Sequence, residues 1–412
     1  MNDTSFGPVG RVLFVNRFYW PDHSATAQML TDLASGLAAR GWSVTVVASR
    51  LRYDGGVPLP PREIHAGVTI ERVATTGFGR GSLAGRAMDY ASFYLTASLA
   101  VARLVRRGDI VVAKTDPPLL QVPLAAVARL RGARLINWMQ DVYPELAVAL
   151  GVDALRGLPA RALSALRGGA LRSAVRTVAI GARMREVLVA AGAPADSVAE
   201  IHNWGDDAVL ASAAGGSPLR AEWGFAPDRL VVAYSGNLGR AHDLETMLEA
   251  ARILAAEAAP IDFLFVGGGV LGARLEAAGL PNLHRRPYQP REDLPRSLAV
   301  ADIHWLSLLP ELEGLIVPSK FYGAAASARP VLFIGAEDGE VAQLVRRHDC
   351  GWAFSPGDAN GVAELLRGLS ADRSRLAGPG ANARRMVSER FTRGHSVDAW
   401  DTLLGDVSTI AK

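Results

Sequence analysis

The feature that most constrains this chain is a strand signal alternating with a helix signal, which stops near residue 205 and then starts again. Short β-branched runs, "RVLFVNRFYW", "WSVTVVASR", "DIVVAKTDPP", "ARLINWMQD" and "VRTVAIG", each end in polar or turn residues. Between them lie segments of helical period such as "TAQMLTDLASGLAARG". After "HNWGDDAVLASAAGGSPLR", a stretch rich in Gly, Asp and Ser that reads as a connection, the alternation resumes with "LVVAYSGN", "IDFLFVGGG", "NLHRRPY", "DIHWLSLL" and "RPVLFIG". Repeated βαβ alternation predicts an α/β protein made of two Rossmann-like, doubly wound parallel-sheet domains, residues 1–205 and 206–392. A length of 412 residues is enough for two cores. Residues 393–412 carry Val397, Trp400, Leu403 and Leu404 at helical spacing, a stripe with no partner left in the second sheet, and are expected to return to the first domain.

Composition narrows the partners. Hydrophobic content of 49% with 21% charge fits a globular chain. The longest apolar stretch, "ASFYLTASLAVARLV", is too short to span a bilayer; it reads as a buried helix, with membrane-surface contact as the alternative. One cysteine, Cys350, allows no intramolecular disulfide, and the start shows no signal-peptide pattern, so the cytoplasm is expected. Through residue 205 there are 23 Lys and Arg against 15 Asp and Glu; after it the count is 21 against 26. The basic first half, with Arg156, Arg161, Arg167, Arg172 and Arg176 among Leu and Ala, fits a solvated helix face. It also fits attraction to an anionic membrane surface or a diphosphate-bearing acceptor. No interleaving of aromatic and basic residues and no zinc spacing points to nucleic acid.

Ligands of such sheets bind beyond the carboxyl ends of the strands. There the second half offers "SGNLGRAHD", where Gly236 permits close backbone approach and Asn237, Arg240 and His242 supply donors. It also offers "GGGVLG", where Gly267, Gly269 and Gly272 fit either a dinucleotide pattern or a tight strand-to-helix turn. Further on, "EGLIVPSKFYGAAASARPVLF" places Gly314 in a loop, Pro318 and Ser319 at a predicted helix start, and Lys320 in its first turn. A helix N-terminus carries roughly half a positive charge, so a lysine there is unfavourable unless an anion lies between them, which points to a bound phosphate. No Asp-x-Asp cluster stands at a strand end to hold a divalent ion, so no metal and no cofactor is expected.

These stretches, with "RFYWPDHSATAQMLTDLASGLAARGWSVTVVAS", "QDVYPELAVALG", "IHNWGDD" and "YSGNLGRAHDLETMLEAA", resemble the retaining GT-B glycosyltransferases of family 4, especially the bacterial branch that builds surface polysaccharides. The resemblance covers nearly the whole chain and implies two domains facing across a cleft, with acceptor on the first and nucleotide-diphosphate sugar on the second. It implies that Glu313, Gly314, Leu315, Ile316, Val317, Pro318, Ser319 and Lys320 hold the donor, with Glu313 on the sugar hydroxyls and Lys320 and Arg240 on the diphosphate. It makes Asp141 and Glu145 candidates for orienting or deprotonating the acceptor hydroxyl, with helix capping the alternative for Asp141. A glycan or polyprenyl-diphosphate-linked acceptor, at the inner membrane face or in the cytoplasm, fits the basic first domain. The family's ribose-holding glutamate falls at Gly323, which leaves that contact unassigned. A sugar-nucleotide epimerase of the same fold and a non-catalytic nucleotide-binding assembly protein are the competing readings.

Overall fold

The computed structural model describes residues 9–79, 82–212 and 215–409. The chain forms two compact units, Met1–His202 with Gly394–Lys412, and Asn203–Arg393. The first holds an eight-stranded sheet of β1 (Arg11–Val15), β2 (Ser43–Ser49), β3 (Arg62–His65), β4 (Val68–Val73), β5 (Ile110–Lys114), β6 (Arg134–Trp138), β7 (Arg176–Ala179) and β8 (Val198–Glu200). Its spatial order is β3-β4-β2-β1-β5-β6-β7-β8. The second holds β9 (Leu230–Ser235), β10 (Ile261–Val266), β11 (Leu283–Arg286), β12 (Ile303–Ser307), β13 (Val331–Ile334) and β14 (Gly351–Phe354), in the order β11-β10-β9-β12-β13-β14.

Every residue of β5, β10 and β12 is buried. Helices cover both faces of a parallel sheet, which is why these strands read as unbroken apolar runs rather than alternating ones. Among the described strands only β3 and β4 pair antiparallel. The strand order reverses between β1 and β5 in the first sheet and between β9 and β12 in the second. At such a reversal the loops leaving adjacent strands diverge and open a crevice at the carboxyl ends.

The stretch read as a connection is built into the second unit. Trp204 is buried, and the Asp206 carboxylate accepts the Ala208 amide at 2.9 Å and pairs with Arg291 at 3.1 Å. The chain's last helix, Arg393–Thr409, belongs with the first unit. Trp400 is 0% exposed, its ring 6.2 Å from that of Phe14 and 5.0 Å from that of Trp138. The Trp42 indole N–H donates to Asp401 at 2.6 Å. Burying an aromatic of this size is worth about 2–3 kcal/mol.

Candidate active site

In the second unit the loop after β9 meets the helix Lys320–Ala326. The side chain of Lys320 runs across Gly236, where a Cβ would stand 2.4 Å from the lysine Cε. Gly236 also has φ +128°, a conformation that side-chain-bearing residues avoid. The lysine Nζ lies 5.5 Å from the Tyr234 ring centre, within cation–π range. Among the described residues no carboxylate pairs with Lys320. Burial lowers its pKa to about 8, so near neutrality it is still charged, half-buried, and not balanced by the protein.

The neighbouring loop supports this one backbone to backbone. A Cβ on Gly267 would stand 2.3 Å from the Gly236 carbonyl oxygen. The Gly236 amide donates to Val266 at 2.8 Å and the Leu238 amide to Gly268 at 2.7 Å. The glycines Gly267 and Gly269 therefore serve loop-on-loop packing, and Gly272 opens the helix Gly272–Ala278. Asn237 and Arg240 are exposed on the β9 loop, and Arg240 makes no ion pair among the described residues.

His242 differs from its expected part as a donor to ligand. Its Nδ1–H donates to the Ser307 carbonyl at 2.7 Å and its Nε2 faces the Tyr234 hydroxyl at 3.0 Å. Burial, then Lys320, lowers its pKa to about 4, so the ring is neutral and ties the loop to β12. Ser319 also departs from expectation. It stands at the N-cap position with helical backbone angles, and its hydroxyl makes no capping bond. Pro318 precedes the helix, and its carbonyl takes the Phe321 amide at 3.1 Å. Within the preceding loop Gly314 has φ +76°, the Leu315 and Ile316 amides both reach the Leu312 carbonyl, and Val317 is buried.

Two carboxylates expected to do chemistry have structural partners. One Glu313 oxygen accepts the amide of Glu340 at 2.7 Å, at the start of the helix Glu340–Arg347, where a carboxylate is favoured by the helix dipole. Glu145 corrects the sequence reading further: Arg167, 2% exposed, grips both its oxygens, and Ser164 donates to one of them at 3.2 Å. With both oxygens taken up by a buried guanidinium, this carboxylate serves as a structural clamp. Glu145 thus clamps the helix Glu145–Ala149 to Leu158–Ser173.

Asp141 has the opposite surroundings. It follows β6, beside Lys114 and Asp116 at the end of β5. Burial, then repulsion from Asp116, raises its pKa to about 7, against the opposing pull of Lys114 and a hydrogen bond from Thr115. Lys114, 1% exposed, donates to the Thr26 carbonyl at 2.8 Å and lies 3.8 Å from the Trp138 ring centre. Burial lowers its pKa to about 7, while Asp116 and Asp141 pull the other way. Asp141 caps no helix: the next one starts at Glu145 after Pro144. A carboxylate tuned toward neutrality at a strand end has the properties of a general base.

Family models match both units, a glycosyl transferase 4-like domain over residues 24–204 and a glycosyl transferases group 1 domain over residues 229–372. The chain is a family 4-type glycosyltransferase. Its curated relatives include the probable glycosyltransferase WbjE of Pseudomonas aeruginosa, 28% identical over 65% of this chain and 68% of that protein. Another is the putative colanic acid biosynthesis glycosyl transferase WcaI of Escherichia coli K12, 27% identical over 55% of this chain and 58% of the relative. The fold is GT-B: the structure of HepE from Anabaena in complex with UDP and glucose superposes with a TM-score of 0.70 over 96% of this chain and 100% of that one, at 16% identity.

Sequence reasoning for this glycosyltransferase missed Lys114 and Asp116. The signal was present in "VVAKTDPP", a strand whose last residue is charged, but only the fold shows that the lysine is buried and shares its surroundings with Asp141.

Proposed function

We propose that this glycosyltransferase moves a sugar, with retention, from a UDP- or GDP-sugar to a hydroxyl of a glycan or polyprenyl-diphosphate-linked acceptor in cell-surface polysaccharide synthesis. The observation that carries the reading is Lys320, a half-buried cation that the protein leaves unbalanced beside the glycine-lined loop after β9. A nucleoside diphosphate supplies the missing negative charge. As the bond from the anomeric carbon to the diphosphate oxygen breaks, charge grows on that oxygen, and Lys320 and Arg240 stabilise it. Asp141 receives or orients the acceptor hydroxyl proton, and no metal is needed for the leaving group. The loop 313–319 holds the donor, with Glu313 reaching the sugar hydroxyls.

A UDP-bound neighbour of the same fold and a relative named for colanic acid synthesis support the donor class and the pathway. The basic first half supports an acceptor carrying diphosphate at the inner membrane face. The test is a panel of nucleotides and nucleotide sugars by thermal shift, followed by transfer assays in EDTA with the product anomer assigned by NMR. Stabilisation by UDP or GDP and EDTA-resistant transfer with retention are expected. Binding without transfer to any acceptor would leave a nucleotide-binding protein instead, and inversion would refute the stereochemistry.

A further inference from the structure

The helix Leu83–Leu104 buries one face through Phe93, Ala97 and Val101. It does not bury the other, which corrects the reading of residues 91–105 as a buried helix. Met88, Leu95 and Leu99 are 55%, 63% and 48% exposed, and with Ala84 and Ala91 they recur at spacings of three and four along one side. Scattered exposed leucines are normal, but an aligned stripe over four turns is a binding face. Phe78, 66% exposed, adds to it: its amide donates to Asp89 at 3.0 Å, which fixes its backbone beside the start of the helix.

The charge along this face has one sign. From residue 82 to 107 the exposed side chains are apolar except Ser82, Arg103, Arg106 and Arg107. The only acid in that span, Asp89, is 2% exposed and is taken up by Arg17 and by the amides of Phe78 and Gly79. A second copy of the chain meeting this face about a two-fold axis brings no carboxylate to the arginines. An anionic bilayer offers hydrocarbon for the stripe and phosphate for the arginines. No described helix is long and apolar enough to cross a membrane, so the helix lies along the surface.

We infer that the outer face of Leu83–Leu104, with Phe78 and the arginines 103, 106 and 107, docks the protein on an anionic phospholipid surface. The inference rests on the membrane-proximal acceptor proposed above and names the surface that serves it.

Co-sedimentation with vesicles tests it, using phosphatidylcholine alone and with about 30% phosphatidylglycerol, where clustered basic residues gain most. The purified full chain should bind the anionic vesicles and release them in high salt. Replacing Arg103, Arg106 and Arg107 together by Gln should weaken partitioning about a hundredfold, and the pair Leu95→Asp and Leu99→Asp at least about tenfold. All these positions are exposed, so melting temperature and the UDP thermal shift should match wild type. No binding by wild type, or equal binding by the Asp pair, would overturn the docking surface. So would a wild-type dimer in analytical ultracentrifugation that the Asp pair dissociates. Vesicle binding without any nucleotide shift would instead defeat the donor reading and leave the docking surface standing.

Discussion

Two lysines, one in each unit, make a direct comparison. Lys114 ends β5 and Lys320 opens a helix beside the loop after β9, each at the place where its sheet reverses strand order. Each lies near an aromatic ring, Trp138 or Tyr234, and burial depresses the pKa of each. They differ in what answers the charge. Asp116 and Asp141 stand near Lys114, whereas no carboxylate among the described residues pairs with Lys320. The same residue type is thus a fixed part of a balanced internal cluster in one unit and one half of an incomplete pair in the other. A half-buried charge left unanswered by its own protein points outward, to a ligand.

The comparison breaks most visibly under substitution. Lys114→Met should lower folding stability by about 3 kcal/mol at about pH 6, below the lysine's depressed pKa, because Asp116 and Asp141 lose their buried cation. Urea melts measure this, and a loss below about 0.5 kcal/mol would mean the cluster does not depend on the lysine. Lys320→Met should leave urea stability within about 0.5 kcal/mol of wild type. It should weaken UDP or GDP binding by about 1.5–3 kcal/mol in calorimetry, the range for a hydrogen bond to a charged group. A Lys320 variant that unfolds like the Lys114 variant would erase the distinction between the two.

Proton linkage sharpens the same contrast. The folded pKa of Asp141 is raised to about 7, above its unfolded value near 4, so the folded chain holds this proton more tightly. Its contribution to stability is present below about pH 4 and is lost as pH rises toward 7, with a slope of at most about 1.4 kcal/mol per pH unit. Lys114 is lowered from its ordinary value to about 7 and acts above that pH, while His242 and His304, lowered to about 4, act inside the window with the opposite sign, so Asp141 is read from the difference between variant and wild type. Asp141→Asn should flatten the stability profile between pH 5 and 7, and parallel profiles for variant and wild type would contradict the tuned carboxylate.

The smallest expected effect concerns Gly323, one turn beyond Lys320. A Cβ there meets nothing within 4 Å, and its φ lies outside the left-handed region. Gly323→Ala should therefore raise stability by up to about 1 kcal/mol through helix propensity, with nucleotide affinity unchanged. Loss of affinity in this variant would mean that the ligand approaches the backbone at 323.

Much of this was legible in the sequence, for local reasons. The buried parallel strands announce themselves as β-branched runs, and Val397, Trp400, Leu403 and Leu404 form a helical stripe whose side chains are indeed buried, in the first unit. Lys320 stood out as a charge among apolar neighbours. What escaped was non-local or weakly patterned. The strand β3 is short and mostly open to solvent, with Ile64 74% exposed, so no buried apolar alternation marks it. The four residues of β14, "GWAF", are all only partly buried. Glu145 was given a chemical role because its partner, Arg167, lies 22 residues away, and the contact of Glu313 with the Glu340 amide spans 27 residues. Carboxylates of equal appearance in a sequence, Asp141 and Glu145, are separated only by whether folding brings them a guanidinium or a second acid.

The return of the helix Arg393–Thr409 to the first unit has a consequence for how the protein is made. Trp400, whose ring meets Phe14 and Trp138, leaves the ribosome only after the whole second unit, while those two leave before it. At roughly 5–20 residues per second, the second unit takes about 10–40 s to synthesise. Throughout that interval the nascent first unit carries an apolar pit that its own chain has not yet filled. A ribosome stalled anywhere in the second unit therefore leaves behind a first unit with all of its strands and an open core, the form in which it is most exposed to chaperones and to aggregation.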